Sequence, residues 1–381
     1  MRRTLFTEEH EAFRVMVRDF VDKEVTPSYS DWEAAGSVPR AVFDRLGDLG
    51  VMGMNLGVEW GGGGNDDYRF NVVLQEETAR AGVTIGPLRT HLDVILPYFL
   101  RYATDEQRGR WFPGLATGKL MTAIALTEPD TGSDLAAVRT RAVPDGDHYV
   151  LDGAKTYITG GHLADLVIVL ARTSTGQNRR DGLTLLVVED GTEGFHKGRK
   201  LDKLGLRAQD TVELTFDGVR VPATNVLGTA GEAFRHLTSN LPQERLAIAV
   251  GAVAQTRAAI DLTVDHVRQR TIFGQPLGSF QNTKFELAAM TAEATAAQAL
   301  LDAAVTALGD GELTGADAAA VKLFCTETQG RVVDRCLQLF GGFGYVTESA
   351  IARLYADARV TRIYGGTSEV MKSIISKSIG L

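Results

Sequence analysis

The sequence predicts an α+β chain of three domains: an N-terminal α-helical domain over residues 1–119, a middle antiparallel β-barrel domain over 120–225 and a C-terminal four-helix bundle over 226–381. Three observations carry that prediction. Apolar residues recur at helical spacing up to about Gly118, give way to short Val-, Ile-, Thr- and Leu-rich runs, and return at helical spacing after Gly231. Turn-forming pairs such as Asp152-Gly153 and Asp217-Gly218 separate the runs of the middle third. The last third holds alanine-rich stretches of about 25 residues with short connections, the pattern of an antiparallel bundle.

In the first domain Phe13, Val17, Phe20 and Val21 mark one helix face, and Thr104 with Gln107 has the spacing of a capping box opening another helix. The glycine-rich EWGGGGND at 59–66 has no strand before it and reads as a loop. MTAIAL, VRTRAV, HYVLDG, KTYIT, LVIVLA, LTLLVV and VELTF read as the strands of the second domain. Helices are expected over roughly 243–270, 280–308, 315–340, 348–360 and 367–378 in the third.

Composition narrows the function. The 381 residues are 44% hydrophobic and 23% charged, with a formal net charge of −8, so sequence-independent nucleic-acid binding through clustered cations is disfavoured. No run approaches the roughly 18 consecutive apolar residues of a membrane span. The two cysteines, Cys325 and Cys336, have neither disulfide-framework nor metal-ligand spacing, and no metal is expected. A cytoplasmic protein is the expectation.

Three stretches offer chemistry. ALTEPDTGSDLAA (125–137) supplies hydroxyls, acids and a glycine in a tight loop after the first strand. In KTYITGG (155–161), strand alternation puts Tyr157 and Thr159 on one face, suited to a planar heteroaromatic. QLFGGFGYVTESAIARLYAD (338–357) lacks GxGxxG and follows a helix, which disfavours a nicotinamide Rossmann site. A surface turn, a core strand and a helix stop would explain the three equally well.

The first and third of these, with RQRTIFGQPL (268–277), SFQNTKFELAAM (279–290) and IYGGTSE (363–369), resemble the acyl-CoA dehydrogenase family in order along essentially the whole chain. The resemblance implies FAD as cofactor, an acyl-CoA substrate of fatty-acid β-oxidation type, an electron-transferring flavoprotein as acceptor and a homo-oligomer, usually a tetramer. It places Leu126, Thr127, Gly132 and Ser133 along the flavin and pantetheine, with Tyr157 and Thr159 beside the isoalloxazine ring. Arg270, Phe273, Gln281, Gln338 and Gly342 would hold the pyrophosphate and adenine end, part of this set coming from a neighbouring subunit. Thr367 and Glu369 would open the helix over the cofactor. Thr131 and Tyr157 depart from the residues frequent in relatives.

The family's base is often a Glu after the loop tyrosine, and here Gly365 follows Tyr364. Two acids remain. Glu369 lies in a first helical turn, facing the adenine side by resemblance. Glu244, in SNLPQERL, reads as a first-turn acid after Pro242, with Asn240 and Gln243 as a capping pair. LPQERL resembles long-chain acyl-CoA dehydrogenases, and isovaleryl-CoA dehydrogenase has the same acid, so Glu244 is the expected base. Arg245 and Tyr364 would contact substrate together with Ser133, and the Gly365 N–H would bind the thioester oxygen beside a ribityl hydroxyl. Acyl-pocket depth is expected to depend on residues 83–100 and the helix after Glu244. A carrier-protein thioester, an oxidase of the same fold and a flavin-containing DNA-associated protein are the alternatives.

Overall fold

The computed structural model describes residues 3–175 and 178–381. The N-terminal part is helical throughout: α1 (Glu8–Phe20), α2 (Tyr29–Ala35), α3 (Arg40–Asp48), α4 (Arg69–Arg80), α5 (Leu96–Tyr102) and α6 (Asp105–Ala116). The expected capping box opens α6: Thr104 Oγ1 accepts from the Gln107 N–H at 3.2 Å, and Gln107 Oε1 accepts from the Thr104 N–H at 3.0 Å. A π-helical segment, Thr90–Ile95, runs directly into α5.

Seven strands form the middle domain: β1 (Thr122–Ala125), β2 (Arg141–Asp145), β3 (His148–Thr159), β4 (Leu166–Arg172), β5 (Leu183–Glu189), β6 (Phe195–Lys200) and β7 (Thr211–Pro222). Their order is β1-β4-β2-β3-β7-β6, with β5 also on β4. The antiparallel barrel expected from the sequence is corrected here. The sheet is open and mixed, because β1 pairs β4 in parallel and the terminal strands β1 and β6 do not pair with each other. The reason lies in burial. Residues 166–171 of β4 and 183–188 of β5 are buried continuously, one face in the domain's own core and the other against the N-terminal helices. A sheet covered by helices on its outer face has no need to close on itself, and its strands lose the alternation that signals a half-exposed sheet.

The C-terminal part is helical: α7 (Ala233–Gln269), a small hairpin of β8 (Thr271–Ile272) and β9 (Gln275–Pro276), α8 (Gln281–Gly309), α9 (Gly315–Leu339), α10 (Ala350–Ala358) and α11 (Ser368–Ser378). The three long helices pack on one another, and α10 and α11 pack on α9. Helix α7 is long and apolar enough to cross a membrane by length and composition, yet 61% of its apolar window is buried inside the protein. It also begins ten residues before the sequence reading put it. Pro242 is inside the helix, so Glu244 is not a first-turn acid and Asn240 with Gln243 is not a cap. A proline there leaves the Thr238 carbonyl without its helical donor. One residue on, the Ser239 carbonyl accepts from Arg101 Nη1 at 3.0 Å, tying this part of α7 to the end of α5.

Candidate active site between α5, α7 and the 363–368 loop

Glu244 is only 9% exposed. Its Oε1 accepts a 2.7 Å hydrogen bond from the hydroxyl of Tyr98, a fully buried residue of α5. Burial pushes the Glu244 carboxyl up from 4.5 to about 7, with the Tyr98 hydrogen bond and the Arg245 charge opposing that rise only in part. A carboxyl poised near neutrality is what a general base requires. Arg245 is itself buried, and desolvation lowers its pKa despite the neighbouring acid. Its Nε and both amide atoms of Asn240 have no hydrogen-bond partner among the described residues. Unpartnered donors and acceptors beside the acid suit a polar ligand that would satisfy them.

The expected loop lies against the same helix. Gly365 and Gly366 have φ of +64° and +95°, a region that glycine enters without a Cβ penalty. A Cβ on Gly365 would stand 2.3 Å from Ile248 Cδ1. Ile248 is four residues after Glu244 and so shares its helix face. Residues 244 and 365 therefore line one space, though 121 positions separate them in the sequence. Tyr364 takes a 3.2 Å hydrogen bond from Arg89 Nη2, whose guanidinium also lies 5.3 Å from the tyrosine ring centroid.

Helix α9 fixes the backbone of this loop. Lys322, 1% exposed, donates to the Gly366 carbonyl, and Glu327 Oε1 accepts from Ser368 Oγ at 2.6 Å. Gln329 accepts from Thr361 at 2.9 Å and donates to Gln255 of α7 at 2.6 Å. Burial lowers the Lys322 pKa to about 8, with Arg245 contributing in the same direction. Thr367 caps α11 through the Val370 N–H at 3.3 Å. Glu369 is exposed, and its own backbone N–H and the Thr367 hydroxyl hold its carboxyl below the usual range. An acid stabilised in its charged form on an open surface is a poor proton acceptor beside a buried substrate.

On the sheet side, Leu126 and Thr127 follow β1, and Thr127 accepts from the Thr156 N–H at 2.9 Å. Lys155 Nζ donates to the Leu126 carbonyl at 3.0 Å and pairs with Glu128 at 2.9 Å, both side chains buried. Glu128 also accepts from the Arg139 and Thr140 N–H groups, both at 2.8 Å. Burial lowers the Lys155 pKa to about 8, while the Glu128 carboxyl, which burial alone would raise, is kept below its usual range by these donors.

Tyr157 and Thr159 do not follow the simple alternation expected of them. Lys155 and Thr156 are consecutively buried at a register shift, and Tyr157 sits at φ +60°, 68% exposed. Phe273 has φ +49° and is 93% exposed. Among the described residues only Tyr157, Leu206 and Phe273 are non-glycine residues with positive φ. Two of the three are thus exposed aromatics from the expected cofactor set, and strain of this kind persists at sites where surroundings impose it. Gly132 and Gly342 face open space, and Ser133, Arg270, Gln281 and Gln338 are exposed. Helix α8, which carries Gln281, packs on α7 and α9, and among the described residues it makes no substantial contact with the sheet domain that carries Tyr157 and Ser133.

Sequence reasoning missed Tyr98, Arg89, Lys155, Glu128 and Lys322. A lysine inside an apolar helix, VKLFC, and another beginning the KTYIT strand were the available signals.

Comparison with known proteins agrees with this layout. Three domain profiles match in order: acyl-CoA dehydrogenase N-terminal domain over residues 7–119, middle domain over 123–219 and C-terminal domain over 231–380. The long-chain specific acyl-CoA dehydrogenase, mitochondrial, of Sus scrofa is 41% identical over 378 residues, covering 99% of this chain and 88% of its own. A crystal structure of an acyl-CoA dehydrogenase from Geobacillus kaustophilus superposes with a TM-score of 0.97 at 41% identity, covering 99% of each chain. A glutaryl-CoA dehydrogenase from Mycobacterium smegmatis, in complex with FADH2, gives a TM-score of 0.89 at 30% identity, covering 99% of this chain and 95% of that one. The cytoplasmic expectation is corrected by the first comparison, since the porcine protein and its counterparts in Mus musculus and Rattus norvegicus are named as mitochondrial. A low cysteine count does not tell one reducing compartment from another.

Proposed function

The chain belongs to the acyl-CoA dehydrogenase family, and from that premise we propose that Glu244 is the base of its reaction, the FAD-dependent α,β-dehydrogenation of an acyl-CoA thioester. The observation that carries this assignment is a carboxyl raised to about 7, beside the Gly365 loop and held by Tyr98. Glu244 takes the proton from the carbon α to the thioester carbonyl, and the Tyr98 hydroxyl keeps its carboxylate aimed. The Gly365 N–H donates to the thioester oxygen, where negative charge grows as the proton leaves. Lys322 fixes the loop just beyond Gly365 through the Gly366 carbonyl. Arg245, Tyr364 and Ser133 contact the substrate, Arg245 and Ser133 on the CoA arm.

The exposed, strained aromatics fit a flat cofactor that would cover them. Leu126, Thr127, Gly132, Ser133, Tyr157 and Thr159 would hold the flavin end of FAD, and Arg270, Phe273, Gln281, Gln338 and Gly342 the pyrophosphate and adenine end, with Thr367 and Glu369 beside them. Bound FAD supplies the acceptor for the hydride from the β carbon. Because the two halves of this set are apart within one chain, a homo-oligomer, a tetramer by family habit, completes the site. A separate electron-transferring flavoprotein takes the electrons onward.

Anaerobic mixing of the flavin-loaded protein with an acyl-CoA panel tests the reading. Bleaching of the flavin by at least one ester is expected; a colourless protein, or a response confined to carrier-protein esters, would overturn it.

A further inference from the structure

A base that has taken a proton must give it up before it can act again, and Glu244 is shut in: it is 9% exposed, and its Oε1 already accepts from the fully buried Tyr98. Two further polar side chains continue the line away from the acid. Asn240 and His236 precede Glu244 by one and two turns of α7, so the three share a helix face in steps of about 5–6 Å. Asn240 is 1% and His236 2% exposed. Opposite them α5 presents Tyr98 and Tyr102, one turn apart, with ring centroids 6.3 Å from each other. The Tyr102 ring packs on His236 at 4.2 Å between centroids, and its hydroxyl donates to the His236 backbone carbonyl at 3.4 Å. The row ends under the loop before α7, where a Cβ on Gly228 would stand 2.5 Å from the His236 ring and Thr229 and Ala230 are exposed.

Three atoms of this row are buried without a hydrogen-bond partner among the described residues: Asn240 Nδ2, Asn240 Oδ1 and His236 Nδ1. Grouped atoms of this kind bind internal water, which makes about three hydrogen bonds to otherwise unsatisfied buried groups. An apolar seam between α5 and α7 would need none of them. Burial and the Arg235 charge, against the opposite pull of Glu232, lower the His236 pKa and favour the neutral ring, in which one nitrogen accepts a proton.

We propose that this row is a proton exit from the base, in which Tyr98, a water held by Asn240, and His236 carry the proton from Glu244 to solvent at the 227–232 loop. The proposal rests on the dehydrogenase reading above and adds to it the residues that reset the base. The Tyr98 oxygen takes the carboxyl proton as its own proton passes to the water, the water passes one to His236 Nδ1, and the imidazolium so formed releases one to solvent. Glu244 is then a carboxylate again, and the relay groups are neutral.

A 3-thiaacyl-CoA, with sulfur in place of the β carbon, offers an α proton and no hydride, so abstraction can be followed by itself. In D2O the flavin-loaded protein should give the long-wavelength absorbance of an enolate beside oxidised flavin and exchange the ligand's α hydrogens for deuterium, read by mass spectrometry. His236→Phe should keep that absorbance, and the anaerobic reduction of its flavin by acyl-CoA, within about twofold of the parent, while deuterium uptake falls by about tenfold or more because the abstracted proton returns to the carbon it left. His236→Gln keeps a polar link and should retain part of the exchange. Asn240→Leu should lower the ratio of exchange to enolate absorbance by a similar factor, flavin content reporting that each variant is folded. Exchange at the parent rate in either flavin-loaded variant, or a fall matched by the same fall in enolate absorbance, sinks the relay and leaves the dehydrogenase reading standing. A flavin-loaded parent that shows neither absorbance nor exchange, and that no acyl-CoA bleaches, sinks both.

Discussion

The two halves of the proposed active centre are built in opposite ways. Around Glu244 everything is interior: the acid, Tyr98, Arg245 and Lys322 are buried and come from α5, α7 and α9 of one chain. Around Tyr157 and Phe273 everything is open, with aromatic rings in solvent on strained backbone. The buried half is assembled from one chain, with the Arg245 Nε and the Asn240 amide left unpartnered, and gains its chemistry from desolvation. The open half is unfinished, and exposed rings held at positive φ gain stability only when another body covers them.

Four experiments break or sharpen this contrast. The largest effect is expected inside. Glu244→Gln should slow flavin reduction by roughly 10²- to 10⁴-fold with flavin content retained, the range that a positioned base supplies. Near-normal reduction would remove Glu244 from the role. Next comes the buried Lys155–Glu128 pair under the Leu126–Thr127 backbone. Lys155→Met leaves Glu128 buried without its partner and should cost roughly 3–5 kcal/mol in urea unfolding, with loss of bound flavin. Unchanged stability would mean that the pair does not anchor the Leu126–Thr127 backbone.

The third test is pH. In the unfolded chain Glu244 titrates near 4.5 and in the folded protein near 7, so between these values the folded state holds the extra proton. Stability from this group is therefore lost as pH rises from 4.5 through 7, by roughly 3 kcal/mol in all. Glu244→Gln should be more stable than the parent at pH 8 by up to that amount and nearly equal to it at pH 4. In the parent, flavin reduction should rise with pH through about 7 as the base ionises. A pH-independent difference between the two proteins would contradict the buried-acid description. The smallest effect belongs to the open face. Tyr157→Gly relieves a φ of +60° and should leave apo stability unchanged or raise it by about 1 kcal/mol, while weakening flavin retention. Destabilisation of the apo protein would show that the ring packs against its own chain.

Local signals were legible in the sequence where a few residues suffice to decide them. Helix α8 was expected over 280–308 and is Gln281–Gly309, and the Thr104–Gln107 box closes as read. The start of α7 was misjudged because Pro242 reads as a helix opener. Contacts with α5, including the Arg101 hydrogen bond to the Ser239 carbonyl, lie alongside it inside a longer helix. The barrel was misjudged because continuous apolar strands say that both faces are covered without saying by what.

By itself the sequence determined the alternation of helical and strand-rich regions and the family, and it paired a missing acid at 365 with an acid at 244 as an expectation. Periodicity, turn chemistry and short motifs act over a few residues, so they survive in a linear string. Only the tertiary structure decided that the sheet stays open, that Tyr98 meets Glu244 across 146 positions and that α9 fixes the glycine loop. Desolvation and long-range pairing set those features, and both depend on which distant residues exclude water from the same place.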